Sequence, residues 1–265
     1  MRAVGSRRRA LGQHFLRDAA VARAIVELVA PTSADLAVEI GPGRGALTGE
    51  LRRRAGRVIA LEVDPALAAD LRGRLPGVEV LDADARAWDY RALPRPQDGR
   101  VLVVGNLPYS VAKPIVMALI DAGPTIDEMA LMLQREVAER LAAAPGSRTY
   151  GSLSILTQLH CDVRLALRVP PGAFQPPPKV ESTVVHLRVL PSLRVPLADE
   201  RRFRAVVRAA FAQRRKMVAN ALAGSLGLPV EDVRRSLEQA GIDPSRRAET
   251  LTIPEFARVA SGLSL

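Results

Sequence analysis

Cys161 is the only cysteine among 265 residues, so no internal disulfide can form. The three histidines, His14, His160 and His186, are scattered and show none of the short spacings from which metal sites are built. No apolar run reaches the roughly 18 residues of a membrane span. The start, Met1-Arg2-Ala3-Val4-Gly5-Ser6-Arg7-Arg8-Arg9, lacks the apolar centre of a secretory leader. These absences predict a cytoplasmic protein without a structural metal. Lysine is also scarce: Lys113, Lys179 and Lys216 stand alone among 38 basic residues, which face 28 acids for a net charge of +10. In a chain this rich in Ala and Arg, arginine number reflects coding bias, and only the placement of charge is informative. Residues 1–30 carry six Arg against two acids, and residues 191–265 carry thirteen Arg or Lys against eight. The 160 residues between are nearly neutral. An ordinary domain is therefore flanked by two basic segments able to grip a polyanion.

Hydrophobic residues make up 48% of the chain and recur periodically, which predicts a sizeable core rather than disorder. Asp18 is placed to cap a helix over 18–29, with Val21, Ile25, Leu28 and Val29 on one face. Strand and helix patterns then alternate to about residue 140, the signature of a doubly wound parallel sheet. Pro145-Gly146-Ser147 interrupts them. A helix over 152–159 and an apolar strand over 163–169 follow, and then a proline run from Pro170 to Pro178 that fits neither helix nor central strand. A last strand over 182–190 would form, with 163–169, a hairpin that closes the sheet. Pro191 to Pro196 reads as a linker. Three amphipathic helices are expected beyond it, over 199–223, 230–240 and 253–261, with Pro244 and Pro254 in the turns. The expected organisation is a basic arm over 1–17, an α/β domain over 18–192 and a small all-α domain over 197–265.

Four strand ends carry the chemistry. Ala37-Val38-Glu39-Ile40-Gly41-Pro42-Gly43-Arg44-Gly45-Ala46 reads as an apolar strand, a glycine turn and a helix start. Gly41 and Gly43 let a ligand approach the backbone without a Cβ in the way. The spacing G-x-G-x-G departs from the dinucleotide pattern G-x-G-x-x-G. Glu62 ends a second strand, where a carboxylate can accept both hydroxyls of a ribose, although a surface acid is the alternative. Asp84, after a third strand, could take an adenine amino group or cap a helix. Behind the run Val101–Gly105 stands Asn106-Leu107-Pro108-Tyr109. Asn supplies an acceptor and donors for an exocyclic amine, Pro fixes the turn, and Tyr offers a face to a nucleobase. Taken alone, such a tetrapeptide could be an ordinary strand-to-loop turn.

In this order on successive strands the motifs resemble methyltransferases that transfer a methyl group from S-adenosylmethionine to an exocyclic adenine nitrogen. The likeness extends over nearly the whole chain. It includes Leu11-Gly12-Gln13-His14-Phe15-Leu16, Leu133-Gln134-Arg135-Glu136-Val137, Phe174-Gln175-Pro176-Pro177-Pro178-Lys179-Val180-Glu181-Ser182 and Phe211-Ala212-Gln213-Arg214-Arg215-Lys216-Met217 followed by Asn220-Ala221-Leu222. On these residues the chain resembles the small-subunit ribosomal RNA adenine-N6,N6-dimethyltransferases of the KsgA type. It departs from them at His14, where the family usually has Asn, and at Ser152, often Arg.

The resemblance implies a Rossmann-like, S-adenosylmethionine-dependent methyltransferase fold. The cofactor would touch His14, Leu16, Gly41, Gly43, Glu62, Asp84 and Asn106. Asn106, Leu107, Pro108 and Tyr109 would form the catalytic turn, and Phe174 would lie against the second face of the target base, with a core anchor as its alternative. Arg201, Arg204, Arg208, Arg214, Arg215 and Lys216 would bind RNA. The implied reaction gives N6,N6-dimethyladenosine at two adjacent adenines in the 3′-terminal stem-loop of 16S RNA. The partner would be the immature 30S subunit and the enzyme a monomer. Three rival readings are a small-molecule methyltransferase, against which the basic flanks and Asn106–Tyr109 argue, an Erm-like enzyme acting on large-subunit RNA, and an assembly or RNA-binding factor without turnover.

Overall fold

A computed structural model describes residues 14–263. The arm residues 1–13, including Gly12 and Gln13, lie outside the described residues. In chain order the strands are β1 (Phe15–Leu16), β2 (Leu36–Ile40), β3 (Arg57–Glu62), β4 (Glu79–Asp82), β5 (Val101–Asn106), β6 (Glu128–Gln134), β7 (Cys161–Val169), β8 (Phe174–Gln175) and β9 (Ser182–Val189). The helices are α1 (Ala19–Val29), α2 (Ala46–Arg52), α3 (Pro65–Arg74), α4 (Ala112–Asp121), α5 (Arg135–Leu141), α6 (Ser152–His160), α7 (Glu200–Phe211), α8 (Val218–Leu226), α9 (Val230–Gln239) and α10 (Ile253–Gly262). No helix among the described residues is long and apolar enough to cross a membrane.

The chain divides into two compact units, each with its own core. One holds the described residues up to Ala138 together with Cys161–Pro191; the other holds Glu139–His160 and the residues from Ser192 onward.

The first unit is built on a seven-stranded sheet ordered β4-β3-β2-β5-β6-β9-β7. β4, β3, β2, β5 and β6 run parallel, while β9 is antiparallel to both of its neighbours. This is the expected doubly wound, mostly parallel sheet, closed as expected by the antiparallel β7–β9 hairpin, with β9 lying between β6 and β7. All five residues of β2 are buried, and so are Val101–Val104 of β5, because helices cover both faces. On one face Ile25, Val26 and Val29 of α1 pack with Leu47 and Leu51 of α2 over Leu102, Val104 and Met132. Asp18 caps α1 as expected, accepting from the N–H groups of Ala20 and Val21.

After β2 the chain winds outward through β3 and β4, then returns to lay β5 on the other side of β2. Ile40 and Gly105 thereby come into register. The crevice beyond the carboxyl ends of β2 and β5 is a topological switch point, the place where open α/β sheets bind ligands.

The opposite ends of these strands are tied by Asp35. Its carboxylate accepts from Thr32 N (2.8 Å), Arg100 N (2.7 Å) and Arg100 Nη2 (2.9 Å). Burial alone would raise its pKa, but the Arg100 and Thr32 donors more than offset this and hold it at about 2.

The second unit is helical. Phe203, Val206, Val207 and Ala210 form the buried stripe of α7, and Val218, Leu222, Val233, Leu237, Phe256 and Val259 from the following helices complete the core. Asp199 caps α7, and Thr252 with Glu255 makes a capping box on α10, which puts Pro254 in a first helical turn where its missing N–H is harmless. The helix expected over 199–223 is in fact two. Between Phe211 and Met217 stand only small or polar residues, Lys216 N turns back to the Gln213 carbonyl, and Val218 N bonds Arg246 O (2.7 Å). The segment 139–160, expected inside the α/β domain, clusters with this helical unit instead. Its Tyr150 ring meets Phe211 edge-on, and Gln158 donates to the carbonyls of Leu141 and Ala143.

Asp35 yields a pH-dependent stability test. Its pKa is depressed in the fold, so its contribution is present above the unfolded value near 3.8 and is lost as the pH falls through about 2. Asp35→Asn should therefore destabilise the protein by about 1–3 kcal/mol at pH 7. The deficit should shrink toward zero between pH 4 and pH 2, read by denaturant titration at each pH.

Candidate active site

The glycine turn after β2 needs left-handed backbone: φ is +64° at Gly41, +53° at Gly43 and +83° at Gly45. A Cβ at Gly43 would come within 2.9 Å of the Phe15 ring, so the turn is also closely covered by β1. The Arg44 guanidinium lies 4.9 Å from the centre of that ring.

Glu62 ends β3 beside the turn and is almost fully buried. One oxygen accepts from Gly43 N (3.0 Å) and the other from Val63 N (2.9 Å) and Asp64 N (3.0 Å). Burial raises its pKa, and these three N–H bonds oppose the rise. Glu62 is thus the brace of the glycine turn as well as a candidate ligand group.

Asp84 also lines the crevice, but its carboxylate is engaged by Arg86, through Nε at 3.0 Å and Nη2 at 2.5 Å, and accepts Arg86 N at 2.9 Å. The Arg86 guanidinium lowers its pKa.

Asn106 closes β5. Its Nδ2 donates to the His14 carbonyl (2.8 Å), which turns the amide so that its oxygen points elsewhere. Leu107 N is taken by Met132 O (3.1 Å), fixing the turn to β6. The Tyr109 hydroxyl sits 2.7 Å from Ser182 Oγ, and the His14 ring lies 5.7 Å from the Tyr109 ring, tilted by 35°. Burial raises the Tyr109 pKa, against the opposing Ser182 bond, so the phenol stays protonated. His14 Nδ1 donates to Pro176 O (2.8 Å), which anchors the imidazole on the proline run.

One crevice is lined by His14, Leu16, Gly41, Gly43, Glu62, Asp84, Asn106, Leu107, Pro108 and Tyr109. Phe174 is the exception among the residues expected here. It pairs with Leu16 across β1 and β8 and is 2% exposed in the core with Val169 and Ala173, outside the crevice lining. The core-anchor alternative describes it.

Sequence reasoning missed Glu39. It lies in the crevice lining, only 1% exposed, and its Oε2 has no hydrogen-bond partner. Burial pushes its pKa to about 8, with Thr48 opposing and the nearby Glu62 adding to the rise. An acid in the middle of a strand buried on both faces was the available signal. Such an orphaned oxygen fits a cationic ligand group, and the glycine turn with Glu62 fits a ribose. The donor set therefore suits a nucleoside that carries a positive charge.

The expected RNA-binding residues all fall in the helical unit. Arg201 and Arg208 are exposed on α7, and Arg215 and Lys216 are exposed in the turn that follows. Arg204 instead bonds Glu200 (Nε–Oε1 2.7 Å) beside His160, and Arg214 donates to the carbonyls of Arg148 and Tyr150, both at 3.0 Å. Both therefore also brace the helical unit. Among the described residues no group of three or more His, Cys, Asp or Glu could hold a metal ion.

Known proteins share this pattern. The sequence profile of the family described as "Ribosomal RNA adenine dimethylase" matches residues 4–264. The chain is 45% identical to "Ribosomal RNA small subunit methyltransferase A" of Geobacter sulfurreducens, over 99% of its own length and 98% of the relative's. Its structure is similar to that of a dimethyladenosine transferase from Plasmodium falciparum, with a TM-score of 0.79 and 25% identity over 93% of this chain and 96% of that one. It is also similar to the 23S rRNA methyltransferase ErmE, with a TM-score of 0.70 and 27% identity over 94% and 99%.

Glu39 supplies the test of this geometry. Its pKa rises from 4.5 to about 8 on folding, so its charge destabilises the ligand-free protein increasingly as the pH climbs from 4.5 to 8. Glu39→Gln should raise Tm by several degrees at pH 8 and leave it unchanged near pH 4.5. An equal change at both values would show that the carboxyl is not held neutral by the fold.

Proposed function

The chain belongs to the ribosomal RNA adenine dimethylase family, and from that premise we propose that it transfers methyl groups from S-adenosylmethionine to N6 of two adjacent adenines near the 3′ end of small-subunit ribosomal RNA. It would act as a monomer in the cytoplasm, on immature small subunits. The observation that carries this reading is the placement of Asn106. Its amide is oriented by His14 at the end of β5, directly beside the glycine turn of β2.

S-adenosylmethionine supplies a sulfonium methyl group, an electrophile that needs no further activation. Glu62 and Gly43 would hold its ribose side, Asp84 its adenine, and Glu39 its positive charge. The protein's remaining task is to align a weak nucleophile. An adenine amine is weak because its lone pair is delocalised into the ring. The Asn106 side-chain oxygen and the Leu107 carbonyl accept its two N–H groups, which favours a more tetrahedral nitrogen with its lone pair toward the methyl carbon. The base must leave its stack to arrive there, and stacking on Tyr109 offsets that cost. No side chain is needed as a general base.

Arg201, Arg208, Arg215 and Lys216 would bind RNA phosphates from the helical unit. Identity of 45% to the small-subunit enzyme, against 27% to ErmE, favours small-subunit RNA over the Erm-like alternative. The crevice residues speak for turnover rather than for an assembly factor alone. Incubation with labelled cofactor and separated ribosomal subunits, followed by mapping of the modified adenines, tests the reading. Label confined to large-subunit RNA would overturn it.

Two variants separate the parts. Asn106→Ala should nearly abolish transfer while cofactor affinity, read by calorimetry, stays within a few-fold, because the deleted group works mainly on the incoming amine. Arg201→Glu with Arg208→Glu should weaken binding to the small subunit and flatten its salt dependence by about 0.7–0.9 for each phosphate no longer neutralised. Unchanged methylation by the double charge reversal at every salt concentration would remove these residues from the RNA interface.

A further inference from the structure

We propose that Ser182 is a positioning residue that latches the Tyr109 ring, and that this latch matters more for the second methyl transfer to an adenine than for the first. The inference rests on the adenine-dimethylating reading above.

Ser182 opens β9, the one strand of the sheet that pairs antiparallel on both sides. Its backbone is in register with Gln134 of β6 and Val169 of β7, and its side chain is fully buried. It is therefore held by the strand ladder on both sides. Its hydroxyl oxygen lies 2.7 Å from the Tyr109 hydroxyl. Tyr109 itself stands on the turn after β5, where nothing in the strand ladder fixes the ring. The Ser182 bond holds the ring at its tip. The His14 ring flanks it at 5.7 Å and is itself tied to Pro176 O at 2.8 Å. Three separate segments thus fix one aromatic plane at the mouth of the crevice.

The two transfers make unequal demands on that plane. Each one forms an N–C bond, breaks the donor's C–S bond so that sulfur leaves as a neutral thioether, and releases one proton from nitrogen to solvent. The unmodified amine offers two N–H groups, which Asn106 and Leu107 can both engage. After the first transfer only one N–H remains. One of the two polar restraints on the amine is then gone, and stacking must supply a larger share of the alignment. A loosened Tyr109 would still permit the first transfer at a reduced rate, but would penalise the second more heavily.

A buried hydroxyl is usually hydrogen-bonded whatever its role, so stability and overall activity do not discriminate. The ratio of the two steps does. Ser182→Ala, Tyr109→Phe and the double variant should be assayed on small subunits, with mono- and dimethyladenosine followed over time by mass spectrometry of the digested RNA. In each single variant the second rate constant should fall, relative to the first, by about three- to ten-fold, the kinetic equivalent of one hydrogen bond. The double variant should be no worse than the singles, because both remove the same hydrogen bond. Cofactor affinity should stay unchanged. Should Ser182→Ala fail to fold, Tyr109→Phe, which removes only the oxygen, still decides the matter. An unchanged ratio in Tyr109→Phe, or additive losses in the double variant, would overturn the latch. Wild-type protein that makes no dimethyladenosine would instead overturn the proposed function on which it rests.

Discussion

The bond from Asn106 Nδ2 to the His14 carbonyl fixes the working end of this protein. It joins the last residue of a central strand to a segment that precedes the whole sheet in sequence. An asparagine at a strand end could otherwise present either its oxygen or its nitrogen to a ligand. With the nitrogen taken by a main-chain acceptor, the oxygen is what remains for an amine. The covering segment is held in turn by pairing of β1 with β8 and by the bond from His14 to Pro176. The turn after β5, the cover over the glycine turn and the proline run are therefore one mechanical assembly. Its parts lie 92 and 162 residues apart along the chain.

The second constraint is electrostatic. Two carboxyl groups, Glu39 within β2 and Glu62 at the end of the neighbouring parallel strand β3, are both buried beside the crevice. Glu62 is made tolerable by three backbone N–H groups, one of them from the glycine turn. Glu39 has an oxygen without a partner, and burial pushes its pKa to about 8. A fold keeps such a group at a cost in stability, and the cost is recovered when a cation binds beside it.

Much of this was legible in the sequence because the informative signals are local. Runs such as Val101–Val104, with a polar residue at the end, mark a strand buried on both faces. Glycines at 41, 43 and 45 mark a turn with positive φ, and Asp18 marks a helix start. What was not legible depends on neighbours distant in sequence. Phe174 stands in a proline-rich loop, and nothing nearby announces that a two-residue pairing with Leu16 buries it in the core. That Arg204 also bonds Glu200, and Arg214 the carbonyls of Arg148 and Tyr150, cannot be read from the basic stripe alone. The break between α7 and α8 depends on where Val218 N–H finds its acceptor, at Arg246. Glu39 reads as one acid in a motif, and only the sheet around it shows that it is buried with an unpartnered oxygen.

The central claim is that Asn106 and Leu107 together receive the exocyclic amine of an adenine. The most direct measurement is a crystal structure of the protein with S-adenosylhomocysteine and a small-subunit RNA fragment carrying the target adenines. The account predicts an adenine N6 at about 3 Å from both the Asn106 side-chain oxygen and the Leu107 carbonyl, the ordinary hydrogen-bond distance, with the base stacked on Tyr109. An adenine bound in the crevice with its N6 out of reach of Asn106, or with that side-chain oxygen turned onto a protein donor, would contradict it.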